Sequence, residues 1–414
     1  MPVVDLEFYP SIGLEELKNI DSEIKEKSKK WPDPFFFKPR NHFDIDKIRE
    51  FCDPIIKEGI ENVIVLGTGG SIQTMLALQQ FADRNVYPIT SSRPAELKAV
   101  LKDPSIKNKA VVVSISRGGE TLDVNSVIHL FYRYKNVALS SRGTMYNMLK
   151  NINTPMMDVP DLAGRFAASC TNVALVPAYL AGIDINTFVT GLEEGYNTYQ
   201  PNVTVQTNPA KQFAVYLYKI YKNGLRNVFS MIYSSWLEGA VGLWVQELSE
   251  STGKEGLGLI GTSQAAPLAQ HSVLELLLGG SKMHTLPILW TTEKDPLDIP
   301  LNSTIPHIQG KTAAETVLYQ ANATFEALLT QGSPAAMIEW EIPTVKNIGH
   351  LIAFIQSTIY YLCMFFDVNW SDNPNVLLGK KICNEAMASN KAWAAMKQKR
   401  KSIAEEKLSE FWVF

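Results

Sequence analysis

The sequence has few cysteines and no recurring pattern among them. Only 4 of the 414 residues are cysteine, and no two have the Cys-x-x-Cys spacing. This scarcity argues against a disulfide framework and against a cysteine-ligated structural zinc site. We therefore expect scattered, buried thiols in a reducing compartment. The four positions are Cys52, Cys170, Cys363 and Cys383.

The sequence also lacks a strong excess of charge of either sign. Its formal net charge is -3, with 46% hydrophobic and 20% charged residues, an ordinary globular composition. This balance gives no reason to expect a nucleic acid or an anionic membrane as a partner. Any site for an anionic ligand must therefore be a local feature.

Long apolar runs are almost absent. The first ten residues contain Asp5 and Glu7 and no basic apolar run, so they do not resemble a signal peptide. One stretch, 349–366, is long enough to span a membrane, but it contains His350 and Gln356. We interpret it as a buried core helix and expect a cytoplasmic protein with no membrane partner.

From about residue 60, short apolar runs alternate with helical patterns. β-Branched strands that alternate with helices predict parallel sheets covered on both faces, and the pattern occurs twice. The predicted fold is α/β, with two doubly wound parallel-sheet domains and flanking helices. Predicted strands cover 62–66, 85–90, 110–114, 136–140, 155–159, 227–232 and 283–290. Predicted domains are a helical extension over 1–40, sheet domains over 41–185 and 186–385, and a helical tail over 386–414.

Two polar turns follow predicted strands, and neither carries a familiar nucleotide-binding motif. The turn after the first predicted strand is neither Gly-x-Gly-x-x-Gly nor a P-loop, which disfavours a dinucleotide-dependent oxidoreductase. The first turn, 67–71, includes Gly69 and ends in Ser71; the second, 114–123, includes Ser116 and Arg117. Glycine amides, hydroxyls and a guanidinium at a helix start suit a tetrahedral anion. The alternative is that both turns merely cap helices.

A third segment supplies groups for proton transfer. Gln246 and Glu250 are four residues apart, so they share one face of a predicted helix. His271 follows on a second predicted helix, and a carboxylate with a histidine is a typical acid–base pair. The alternative for Glu250 is a surface ion pair with Lys254.

The second turn resembles the phosphosugar signature of sugar isomerase (SIS) domains, Ser-x-Ser-Gly-x-Thr-x-Glu. Several further segments resemble, in the same order, motifs of the phosphoglucose isomerase family. The resemblance implies two SIS-type domains, no cofactor or metal, and a homodimer in which the histidine matching His271 reaches the neighbouring subunit's site. The segments are 67–71, 164–166, 246–254, 270–272 and 372–380.

The same resemblance implies a role for each matched residue. Glu250 would move a proton between C1 and C2 of a sugar, while His271 and Lys380 would assist ring opening. Arg165 would stabilise the enediolate; the alternative is a surface pair with Asp161. The anionic end and the hydroxyls of the sugar would contact Gly69, Ser71, Ser116, Arg117, Gly118, Thr121, Gln246 and Asn373.

The departures from the family's motifs are concentrated at the anion turn and the last motif. Gly118 stands where the family has Ser or Thr, and Arg117 stands where Lys is usual. In the last motif, Asn373 replaces the family's Gln. The sequence therefore predicts an aldose–ketose isomerase of a hexose with an anion at C6, with glucose 6-phosphate as the default substrate. A sulfonated hexose such as sulfoquinovose and a non-catalytic sugar-phosphate sensor are the alternatives.

Overall fold

The computed structural model describes residues 4–282 and 284–411, apart from the side chains of Leu14 and of residues 406–411. The chain forms two compact units, which meet in sequence between Ser371 and Asp372. The first unit contains both sheets, and the second consists of two helices.

The first sheet is parallel throughout and has five strands in the order β3-β2-β4-β5-β6. Every residue of the central strands β2 and β4 is buried, as expected for a sheet with helices on both faces. The strands are β2 (Asn62–Leu66), β3 (Asn85–Ile89), β4 (Ala110–Ile115), β5 (Lys135–Leu139) and β6 (Met156–Met157).

The second sheet also has five strands, in the order β1-β10-β9-β7-β8. Four of them are parallel, while β1 pairs antiparallel with β10 at one edge. The strands are β1 (Val4–Tyr9), β7 (Asn227–Ile232), β8 (Ile260–Ala265), β9 (Thr285–Thr292) and β10 (Ala335–Trp340).

Seventeen α-helices connect or extend these strands within the described residues. They are α1 (Ile20–Ser28), α2 (Ile45–Ile56), α3 (Gln73–Leu78), α4 (Pro94–Leu101), α5 (Pro104–Asn108), α6 (Leu122–Asn125), α7 (Gly143–Lys150), α8 (Gly164–Ala168), α9 (Asn172–Leu180), α10 (Ile185–Thr198), α11 (Pro209–Lys222), α12 (Glu238–Thr252), α13 (Gln270–Gly279), α14 (Ala313–Thr330), α15 (Val345–Phe366), α16 (Val376–Met387) and α17 (Asn390–Phe411).

Helix α15 has the length and apolar character of a membrane span, but its apolar stretch is wholly buried inside the protein. Its neighbours include α10 and α11, which come from the helical region between the two sheets. A helix that is apolar on all sides is typical of a core position. The prediction of a buried core helix is confirmed.

Most predicted strands are confirmed, and two of them, 62–66 and 227–232, have the predicted bounds. Residues 4–9 form a strand, so the predicted extension over 1–40 is not purely helical. The predicted strand 155–159 shortens to two residues, and β8 and β10 were not predicted. The positions Met1–Val3, Met283 and 412–414 lie outside the described residues, and the predicted domain bounds stay predictions.

Both sheets reverse their strand order at one place. In the first sheet the chain moves from β2 to β3 on one side and then to β4 on the other; in the second it moves from β7 to β8 and then to β9. In open α/β sheets, ligands bind at the carboxyl ends of the strands beside such a reversal. The fold therefore marks two crevices, one after β2 and β4 and one after β7 and β9.

Candidate active site

The turn after β2 brings the first sheet against α8 and α12. Gly69 has φ +58°, in the left-handed region that favours glycine. A Cβ on Gly69 would lie 3.2 Å from Nε2 of Gln246, and one on Gly70 would lie 2.7 Å from Cα of Arg165. The two glycines thus allow the turn to approach two predicted site residues, and Ser71 ends the same turn.

The turn after β4 is a hydroxyl-rich loop at the neighbouring strand end. The hydroxyls of Ser116 and Thr121 are 2.9 Å apart, and Thr121 is the residue that precedes α6. Gly119 has φ +69°, and a Cβ there would collide with the carbonyl oxygen of Arg142. Gly118 differs, because a Cβ at this position would meet no atom within 4 Å. The loop therefore has room for a larger residue at Gly118.

Arg117 does not extend freely into solvent. Its guanidinium donates a short hydrogen bond to the Leu162 carbonyl and lies 3.3 Å from Oδ1 of Asp161. Arg142 lies 3.7 Å from the same oxygen, so Asp161 pairs with Arg117 and Arg142, whereas Arg165 makes its ion pair with Glu250. The alternative that Arg165 forms a surface pair with Asp161 is wrong.

Arg165 lies at the centre of the site. Its side chain is only 4% exposed, and its Nη1 lies 3.5 Å from Oε1 of Glu250. Nε donates to the Ser251 hydroxyl at 2.8 Å, and Nη2 donates to the Trp370 carbonyl at 2.6 Å. Several fixed hydrogen bonds hold a guanidinium in one orientation, which is what a buried charge requires.

Glu250 is held from both sides. Besides Arg165, it is contacted by Gln246, whose Nε2 donates to Oε2 of Glu250 at 2.9 Å across one turn of α12. The Glu250 side chain is 21% exposed, so a ligand can still reach it. The structure therefore joins Gly69, Gln246, Glu250 and Arg165 in one cluster, and their roles as site residues stay predictions.

One acidic residue of this helix was not predicted from the sequence. Glu247 is fully buried, and burial raises its pKa to about 8. The hydrogen bond from Gln356 and the charge of Arg165 lower this pKa, but burial has the larger effect. Nε2 of Gln356 donates to Oε1 of Glu247 at 2.7 Å, while Oε2 has no hydrogen-bond partner in the described part of the chain. The helical period indicates its burial, because Glu247 follows Trp244 by three residues and precedes Ser251 by four, on the buried face of the helix.

The remaining predicted residues lie apart from this cluster or in the second unit. His271 is exposed on α13, and its ring makes no hydrogen bond to any residue that the structure describes. Asn373 and Lys380 belong to the second unit, Lys380 on α16. The next residue, Lys381, lies 3.9 Å from Glu385 on the same helix. The roles of His271, Lys380 and Asn373 stay predictions.

The cysteines follow the expectation with one exception. Cys52, Cys170 and Cys363 are buried, whereas Cys383 is exposed. Burial raises the pKa of both Cys52 and Cys170 to about 12, so neither is a reactive thiolate near neutral pH. Cys52 and Cys170 therefore contribute packing to the core.

Comparisons with known proteins agree with the geometry. The chain is 26% identical over 340 residues to the glucose-6-phosphate isomerase of Methanocaldococcus jannaschii, covering 78% of this chain and 84% of the relative. It is also 26% identical over 373 residues to that of Mycoplasmopsis pulmonis, covering 81% and 85%. A crystal structure of a glucose-6-phosphate isomerase from Chlamydia trachomatis superposes with a TM-score of 0.79 at 14% identity, over 96% of this chain and 91% of that one. No protein-family profile matches the chain.

The fold is that of SIS-type sugar isomerase domains, with one wholly parallel sheet and one mostly parallel sheet covered by helices. The relatives and the ordered motifs point the same way. At 26% identity over most of its length, the chain is similar to the phosphoglucose isomerase family.

Proposed function

We propose that this protein is an aldose–ketose isomerase that interconverts glucose 6-phosphate and fructose 6-phosphate. The observation that carries the proposal is the pairing of Arg165 with Glu250 at the carboxyl edge of the first sheet, beside the two anion-type turns. The relatives named glucose-6-phosphate isomerase support the same reaction. A sulfonated hexose and a non-catalytic sensor find no support in these comparisons.

Glu250 is the base in this proposal. Isomerisation through an enediol needs one group that removes a proton from C2 and returns it to C1, and a carboxylate within reach can do both. Gln246 fixes one carboxylate oxygen of Glu250, and the partial exposure of the side chain leaves a route for substrate. A partly exposed carboxylate held in this way is positioned to take the proton.

Arg165 stabilises the negative charge that develops during the reaction. Removing a proton from a carbon beside a carbonyl places negative charge on the C1–C2 oxygens. A guanidinium fixed by Ser251 and by the Trp370 carbonyl can stabilise that charge without reorganising. Because the charge exists in the transition state and not in the substrate, the stabilisation accelerates the reaction.

The two turns after β2 and β4 hold the phosphate in this proposal. Backbone amides of a glycine-rich turn and hydroxyl donors such as Ser71, Ser116 and Thr121 match the oxygens of a tetrahedral anion. The neighbouring strands β2 and β4 are paired, with Leu66 opposite Ser114, so both turns begin at the same level of the sheet. A sugar held there by its phosphate would extend toward α12.

His271 completes the site from a second copy of the chain. Its imidazole is exposed on α13 and makes no hydrogen bond within the described residues, so its position leaves it available to a partner. Large apolar side chains on and before the same helix, Leu268 and Leu276, are also exposed, as expected of a surface that a second subunit covers. We therefore propose a homodimer in which each subunit donates His271 to the other.

The proposal is tested by incubating the purified protein in metal-free buffer with glucose 6-phosphate, sulfoquinovose or unphosphorylated glucose, and following ketose formation by proton NMR. Turnover of glucose 6-phosphate, with the two other sugars at least about 100-fold slower, is expected. Preference for the sulfonate would overturn the phosphate assignment. Binding of glucose 6-phosphate without turnover would overturn the enzymatic function and leave a sensor.

A further inference from the structure

The second sheet has a crevice of its own that the proposed reaction does not use. It lies at the carboxyl ends of β7 and β9, where the strand order of this sheet reverses. This is the position at which open α/β sheets bind ligands, and it corresponds to the position of the two anion-type turns in the first sheet. A pocket of about 220 Å³ occupies it, lined by the segments 233–236, 291–292 and 297–298, by Asp295 and by the first residues of α14.

The floor of this pocket offers hydroxyl groups. Ser234 is 6% exposed, and its Oγ has no hydrogen-bond partner within the described part of the chain. Thr291 and Thr292, at the end of β9, are buried beside it. A buried hydroxyl without a partner costs free energy, and a ligand that bonds to it would recover that cost.

The wall of the pocket combines an aromatic ring with carboxylates. Trp236 Nε1 donates to Oδ1 of Asp295 at 3.0 Å, so the indole is fixed. The other oxygen, Oδ2 of Asp295, makes no hydrogen bond to the residues described. Asp298 accepts from the amide of Ala314 at the start of α14. An indole face beside carboxylate acceptors suits a molecule with C–H faces and several hydroxyl donors.

The pocket contains no basic side chain among its described lining residues. Two carboxylates without a compensating cation repel phosphate, so the crevice differs from the anion-type turns of the first sheet. Its volume is below the roughly 300 Å³ that drug-sized ligands need, which restricts it to a small molecule.

We infer that the crevice after β7 and β9 is a second binding site, for a small uncharged polyhydroxylated molecule such as a free monosaccharide or polyol. Buried Ser234, Asp295 and Trp236 are the recognising groups. The site is separate from the cluster around Arg165, and its existence does not depend on the proposed reaction.

Trp236 provides the probe for a test. The protein is labelled with 5-fluorotryptophan, and the Trp236 resonance is assigned among the 8 tryptophans by its loss in Trp236→Phe. Glucose, fructose and sorbitol are titrated as uncharged probes, inorganic phosphate as an anion and ammonium as a cation. Saturating fructose 6-phosphate is present throughout, to occupy the first site. A saturable shift of this resonance with at least one uncharged probe, and none with phosphate or ammonium, is expected.

Two substitutions on α14 distinguish binding in the pocket from binding elsewhere on the surface. Ala313 lines the pocket, whereas Ala323 is exposed on the same helix outside it. Leucine is nearly as good a helix former as alanine, so both variants should fold. Ala313→Leu should lower the affinity for the sugar, read from the titrated Trp236 shift, by at least about 10-fold. Ala323→Leu should leave this affinity unchanged, and isomerase turnover should be unaffected in both variants.

A second variant covers the case in which Ala313→Leu does not fold. Asp295→Asn keeps an acceptor for Trp236 but removes the charge, and should weaken sugar binding about 10-fold. The inference is overturned if no uncharged probe moves the Trp236 resonance, if phosphate or ammonium alone moves it, or if the shift persists unchanged in both pocket variants.

Discussion

Gly70 and Arg165 are in backbone contact: a Cβ on Gly70 would lie 2.7 Å from Cα of Arg165. This approach brings the turn after β2 to the start of α8. It places the guanidinium of Arg165 between the first sheet and the carboxylate of Glu250 on α12. The position of the central charge of the site therefore depends on the absence of one methyl group.

Gly70→Ala should displace Arg165 and lower turnover. Because the Cβ would overlap backbone and not a flexible side-chain end, we expect a loss of about 1–3 kcal/mol in stability and about 100-fold in kcat. The measurements are a denaturation midpoint and steady-state kinetics. Gly164→Ala is the matched control, since a Cβ there meets no atom within 4 Å and the residue begins the same helix as Arg165. Equal kinetics in both variants would contradict the account.

Gly118→Ser should improve binding of the phosphorylated sugar. The position is sterically open, and a serine would add one hydroxyl donor to the loop that contains Ser116 and Thr121. A hydrogen bond to a charged group contributes roughly 1.5–3 kcal/mol, so KM for glucose 6-phosphate should fall about 10-fold with kcat little changed. Gly118→Ala is the control. If KM does not fall for the serine variant relative to alanine, the loop does not hold the phosphate.

Glu247→Gln should remove a pH dependence of stability. Burial raises the pKa of Glu247 to about 8 from its ordinary 4.5, so the folded state retains a proton that the unfolded state has lost. The cost of burying this residue is therefore absent below pH 4.5, grows between pH 4.5 and 8, and is constant above. The unfolding free energy of the native protein, relative to Glu247→Gln, should fall by about 2–5 kcal/mol across that window.

The comparison between the two proteins isolates Glu247, because all other groups titrate in both. Among them is His350, whose pKa burial lowers to about 4, so that the protein loses stability as the pH falls from 6.5 toward 4. Denaturant midpoints at several pH values provide the measurement. A difference between native protein and variant that does not change with pH would show that Glu247 is already ionised when folded.

Mixed dimers test whether His271 acts across an interface. Glu250→Gln and His271→Ala should each be nearly inactive as pure proteins. If each subunit donates its histidine to the other, a mixed dimer contains one site with both native residues and one site with neither. Mixing the two variants after partial unfolding should therefore restore activity, and each mixed dimer should have about half the activity of a native dimer. No recovery on mixing, with mixed dimers shown to form, would place His271 and Glu250 of one chain in the same site.

The fold was predictable where the hydrophobic pattern is continuous. Strands β2 and β7 have the predicted bounds because both are apolar runs between polar turns. Strand β1 was not predicted, because Asp5 and Glu7 interrupt it and its stability comes from pairing with β10, more than 300 residues away. Edge strands of this kind depend on tertiary contacts that no local pattern contains.

The candidate site was predictable as a set of residues but not as a geometry. Motif order identified Arg165, Gln246 and Glu250, yet the ion pair of Arg165 with Glu250 rests on the glycine approach at Gly70. The buried acid Glu247 was not predicted. The period of α12 places it on the buried face, so its burial could have been predicted.

The most direct test of the central claim is deuterium incorporation at C2 of glucose 6-phosphate in D2O, compared between the native protein and Glu250→Gln. Because a general base contributes about 100- to 10,000-fold, exchange should fall by that factor in the variant while sugar-phosphate binding is retained. Glu238→Gln, exposed at the start of the same helix, should exchange like the native protein. Undiminished exchange in Glu250→Gln, or no exchange in the native protein, would contradict the assignment of Glu250 as the base of a glucose-6-phosphate isomerase.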